Sequence, residues 1–131
     1  MPPHRDTPGS AEDWLARARG DLAIAKAPLP DGAFYEDLAF HAQQAAEKAL
    51  KAVYQHNGWA FRYTHDLELL LSGLRQHGLD VPGGIVEADA LSRYAWVTRY
   101  PGLEEPITGE EYQEAVKMAE AVLTWAANQI R

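Results

Sequence analysis

The sequence predicts an all-α protein, an up-and-down antiparallel bundle of about five helices, four long or core-forming and one short. Two observations carry this. Apolar residues recur at three- and four-residue spacing in five segments, each bounded by capping residues, glycine or proline. Alternating apolar and polar runs of the kind a half-buried strand needs are absent, as are internal repeats and any linker long enough to divide the chain.

The first nine residues contain three prolines and a glycine and are expected to form a loose arm, leaving residues 10–131 as one helical domain. Ser10 caps the first helix, with Glu12 and Asp13 suited to its positive first turn. Trp14, Leu15, Ala18, Leu22 and Ala25 give that helix its apolar face until "APLPDG" stops it. The second and longest helix should run from about residue 33 to residue 57 and end at Asn57-Gly58. Leu38, Ala42, Ala45, Ala46, Ala49 and Val53 form a broad arc small enough for close packing. Asp37, His41, Gln44, Lys48, Lys51 and Gln55 line the opposite arc, where i,i+4 spacing offers the pairs Asp37–His41, Gln44–Lys48 and Lys51–Gln55 on a solvated face. Phe40, Gln43, Glu47 and Tyr54 fall between the two arcs.

Thr64 is the expected cap of a short third helix carrying Leu67, Leu70, Leu71 and Leu74 and closed at Gly78. A fourth helix is expected over about 84–100, with Val86, Ala90, Leu91, Tyr94 and Val97 facing the core and Pro101 ending it. On its other face Asp89, Arg93, Trp96 and Tyr100 would line up. The fifth helix opens with a capping box, Thr108 and Glu111, and carries Tyr112, Ala115, Val116, Ala119, Leu123, Ala126 and Ile130 along one stripe. Trp14 and Trp125 read as core anchors near the bundle ends, and Trp59 as closing a core edge from a loop.

Composition narrows the function. Twelve Lys plus Arg against nineteen Asp plus Glu leave a net charge of −7, which argues against nonspecific phosphate-backbone binding but leaves room for a small anion on a local cluster. The chain has no cysteine, hence no disulfide, thiolate metal site or cysteine nucleophile. No run approaches the ~18 apolar residues of a membrane span, and a cytoplasmic protein is the expectation. The phosphate loop GxxxxGK[ST], the GxGxxG turn, the HExxH zinc helix and the GxSxG elbow do not occur. No glutamate has a histidine three positions later, so a di-iron bundle site is not expected; neither metal nor cofactor is.

Three segments, "YEDLAFHAQQAAEKALKAVYQHNG", "YTHDLELLL" and "RYAWVTRYPG", in this order and spacing, resemble the HEPN family, the higher eukaryote and prokaryote nucleotide-binding domains. The resemblance spans about residues 12–130. It implies a helical bundle, frequently a homodimer, with two functional branches. In one, the domain works beside a minimal nucleotidyltransferase, sometimes as a toxin–antitoxin pair, and helps bind nucleotide. In the other, it is a metal-independent ribonuclease marked by an arginine followed after four to six residues by a histidine. No arginine here has a histidine at that separation. The Gly-Ser and Asp-x-Asp motifs of a nucleotidyltransferase do not occur together either, so transferase chemistry would belong to a partner chain.

The leading expectation is therefore a non-catalytic HEPN protein that binds a nucleotide, a nucleotidyltransferase partner, or both. Lys48, Arg93 and Arg99 would hold phosphate, with Lys51 as a further cation and Gln44 as a hydrogen-bonding neighbour; Tyr100 would stack or position a base, and His65 would be a secondary contact. The alternatives are a ribonuclease acting on RNA through a rearranged Arg99–His65 pair, and a purely structural dimerisation module in which Trp96 and Tyr100 are buried at the dimer interface.

Overall fold

In the computed structural model, residues 8–97 and 106–131 are described, and every regular element among them is helical. Helix α1 spans Ala11–Ala25, α2 Tyr35–His56, α3 Leu67–Gln76, α4 Gly83–Val86, α5 Tyr94–Val97 and α6 Gly109–Ile130, with a 3-10 segment, Glu87–Arg93, joining α4 to α5. The all-helical expectation holds.

Helix α2 is the axis of the bundle. It packs most extensively against α1 and α6, and also against α3, the 3-10 segment and α5. Its alanines explain this position: Ala39, Ala42, Ala45, Ala46, Ala49 and Ala52 have no exposed surface, so neighbouring backbones approach closely on several sides. Helices α1 and α2 form an antiparallel hairpin. Lys51, late in α2, lies over Trp14 at the start of α1, while Asp21, late in α1, meets His41 early in α2. Helix α6 closes the far side, where Tyr112 stacks on Tyr35 at 5.1 Å and its hydroxyl donates to the Ala25 carbonyl at the end of α1.

The caps of α1 and α6 are those the sequence predicts. Ser10 Oγ accepts from Asp13 N at 3.1 Å, and the Thr108–Glu111 box closes with both bonds made. Asp13 in turn accepts from the Gly9 N–H, and that bond together with Arg17 lowers its carboxyl pKa below the usual 3.8. Gly58, at φ 71°, takes the left-handed conformation that ends α2.

Two expectations about elements fail. Thr64 does not cap α3: its hydroxyl accepts from Asp66 N in a local turn, and Asp66 is the cap, accepting from Glu68 N at 3.0 Å. The fourth helix is not one α-helix over 84–100. Ile85, Ala88, Leu91 and Tyr94 are buried at strict three-residue intervals, which is the period of a 3-10 helix, and the chain adopts that geometry over 87–93. Val86 is therefore only partly buried and Ala90 is exposed. At three residues per turn, Asp89 and Arg93 lie about 120° apart rather than in line. The Trp96 side chain and the whole of Arg99 and Tyr100 lie outside the described residues.

Candidate functional site

The polar stripe of α2 is where the structure departs furthest from expectation. Only its ends, Asp37 and Gln55, are exposed, while His41, Gln44 and Lys48 are half-buried and Lys51 is buried, and none of the three i,i+4 pairs forms. Asp37 instead accepts from the Phe34 N–H at the start of α2. His41 and Lys48 both reach across to α1, where Asp21 binds His41 Nδ1 at 2.9 Å through one oxygen and Lys48 Nζ at 2.6 Å through the other. Lys51 pairs with Glu47 at 2.9 Å, inside the bundle. Close packing of the alanine-rich helix pulls its polar residues against the neighbouring elements, and each then needs a partner there.

Glu47 repeats the Asp21 arrangement. One oxygen accepts from Lys51, while the other lies 2.8 Å from His65 Nδ1 and accepts from Gln43 Nε2 at 3.1 Å. Gln43 also donates to the His65 carbonyl at 3.2 Å, and its own side-chain oxygen accepts from Gln44. The chain leaving α2 thus runs back along the helix, and these bonds hold the start of α3 against its middle. The Lys51 ammonium lies 5.6 Å from the Trp14 ring and 5.5 Å from the Phe61 ring, so two aromatic residues and a carboxylate replace its water.

The outcome is a seam along α2 carrying two histidine–carboxylate–lysine groups. Because an ionised carboxylate only accepts, each imidazole presents Nδ1–H to it and turns Nε2 away from it. The side chains of His41 and His65 are 32% and 40% exposed, so both imidazoles reach solvent, whereas Lys51 does not. The charges cancel: two lysines face two carboxylates. Of the residues singled out from sequence, Gln44, Lys48, Lys51 and His65 come together here. Arg93 is placed at the first turn of α6, 3.6 Å from Glu111 and with its guanidinium over the Tyr94 ring. The described residues contain no group of side chains able to hold a metal ion.

Asp21, Gln43 and Glu47 were not singled out as site residues, though the sequence carries a signal for them. Asp21 interrupts the apolar line Ala18–Asp21–Ala25, and Gln43 and Glu47 sit on the line that continues to Leu50 and Tyr54; an acid on a buried line needs a buried cation.

The model of the HEPN domain matches residues 11–130, nearly the whole chain. The chain belongs to the HEPN domain family. Among solved structures, TT1696 from Thermus thermophilus is 35% identical, with 92% of this chain and 98% of that one covered and a TM-score of 0.81. ST0689, an archaeal HEPN homologue, is 29% identical, covering 93% and 98% of the two chains, with a TM-score of 0.75. No curated protein matches. The HEPN bundle therefore accounts for the described fold. No described helix is long and apolar enough to cross a membrane.

Proposed function

We propose that this HEPN protein works by binding rather than by cutting RNA: a homodimer that engages a minimal nucleotidyltransferase, as one half of a toxin–antitoxin pair, and contributes nucleotide contacts through Arg93, Arg99 and Tyr100. The observation that carries the reading is the cancelled charge of the seam. A phosphate approaching Lys48 must displace Asp21 from 2.6 Å, and Lys51 is enclosed between Glu47 and two rings. That leaves the arginines as the proposed phosphate contacts, with Arg93 exchanging Glu111, at 3.6 Å, for the ligand, while Gln44, Lys48, His41 and His65 offer a partner protein a half-exposed row of hydrogen-bonding groups. The missing arginine–histidine spacing weighs against the ribonuclease reading, and His65 is already held by Glu47.

The test is co-expression with the product of a neighbouring gene bearing Gly-Ser and Asp-x-Asp motifs, followed by size-exclusion chromatography and calorimetry with ATP and GTP. A stable complex, with nucleotide binding weakened by Arg93→Ala and Arg99→Ala, is the expected result. Failure to co-elute, together with degradation of RNA by the purified protein that is lost in His65→Ala, would replace this reading with the ribonuclease one.

A further inference from the structure

A groove of about 260 Å³ is lined by residues 60–62 and 64 and by one side of α3. Its floor is Tyr54 and Leu70, both buried, with the Phe61 ring edge-on to Tyr54 at 5.9 Å. The Tyr54 hydroxyl is satisfied by the Leu70 carbonyl, at 2.6 Å. Gly73 forms part of the wall, and the absence of a side chain there is required, because a Cβ would lie 2.1 Å from the Tyr54 hydroxyl oxygen. One end is closed by His77, whose imidazole stacks flat on Trp59 at 4.1 Å.

The rim is chemically one-sided. In a chain of net charge −7, no aspartate or glutamate among the described residues lines this groove, while Arg62 does. Arg62 makes no ion pair among the described residues, in contrast to Lys48 and Lys51 on the seam. Thr64 accepts from Asp66 N and keeps its own O–H to donate, and the Gln76 amide is on the same rim. A single planar guanidinium beside an aromatic floor suits a monoanion with a flat apolar body, since the fork matches the two oxygens of a carboxylate.

We infer that this groove is a binding site for small aromatic monocarboxylates, held by Arg62 at the rim and by Tyr54 and Phe61 beneath. The volume limits the ligand to a single ring system, so millimolar affinity is expected for the simplest probe.

Titration of the ¹⁵N-labelled full chain with benzoate tests the site. Saturable amide shifts confined to residues 60–64 and 69–77 and to the Trp59 indole are expected. Benzamide, of the same shape without the charge, should bind on the order of tenfold more weakly, and Arg62→Gln should abolish that difference while leaving the rest of the spectrum unchanged. The inference is overturned if benzoate gives no saturable shift, if benzamide binds equally well, if Arg62→Gln keeps the preference, or if inorganic phosphate at matched ionic strength produces the same shifts.

Discussion

Replacing Glu47 with alanine tests the charged seam most directly. The substitution removes the acceptor of three side-chain hydrogen bonds, from Lys51 at 2.9 Å, His65 at 2.8 Å and Gln43 at 3.1 Å. The severest consequence falls on Lys51, whose side chain is 8% exposed and would be left buried without a counter-ion. Orphaning one member of a buried pair costs about 3–5 kcal/mol. The Trp14 and Phe61 rings recover part of that through cation–π attraction, which places the expected loss near ~3 kcal/mol. With an unfolding entropy of about 2.1 cal/mol/K per residue, the 131-residue chain should lose roughly 11 °C in Tm. Urea unfolding followed by circular dichroism measures the loss directly, and an unchanged m-value would certify that the native surface is intact. The double variant Glu47→Ala/Lys51→Met should recover much of it, because an apolar side chain among Trp14 and Phe61 has no desolvation to make good. A Glu47→Ala protein within about 1 kcal/mol of the parent, or a double variant no better than the single, would refute the description of Lys51 as enclosed and internally neutralised.

Gly73→Ala should destabilise by about 1–3 kcal/mol, since its Cβ meets the Tyr54 hydroxyl oxygen at 2.1 Å and pushes it off the Leu70 carbonyl. In a Tyr54→Phe background the same change should cost measurably less, because the nearest ring carbon would be 3.3 Å away; a double-mutant cycle in urea reads the coupling. Burial raises the pKa of Tyr54 above 10.0; for Tyr112, burial and the neighbouring Tyr35 do the same. Because the folded state holds these protons more tightly than the unfolded chain, their contribution to stability is complete below pH ~10 and is lost as pH rises through the folded values. Unfolding free energy measured between about pH 9 and 12 should fall accordingly, and more gently in Tyr54→Phe.

Wherever a single helical period rules, the fold is legible from sequence. The ends of α1, α2 and α6 follow from Ser10, Asn57-Gly58 and the Thr108–Glu111 box, all local signals whose bonding partners lie within four residues. The fourth helix is misjudged because Leu91 and Tyr94 fit periods of both three and 3.6, and only the burial of Ile85 and Ala88 decides between them. The site is less legible. Gln44, Lys48, Lys51 and His65 are gathered on one seam, but periodicity shows only which residues share a face, not what that face meets. Asp21 lies 27 residues before Lys48, and Glu47 lies 18 before His65, so both groups depend on tertiary packing.

The alanines of "FHAQQAAEKALKA" explain why the seam is built this way. Small residues on several sides of α2 let α1, α6 and the returning loop close on it at short range, and at that range the longer polar side chains cannot all reach water. Each cation trapped by the closure requires an anion from an adjoining surface, and Asp21 and Glu47 supply them. Close packing and charge cancellation are thus one design, and a seam that looks from its lysines like an anion-binding surface has each of them matched by a carboxylate once folded. What remains available at its edge is directional hydrogen bonding from His41, Gln44, Lys48 and His65, which discriminates among shapes better than among charges. Recognition of a protein surface draws on that property; capture of a bare phosphate does not.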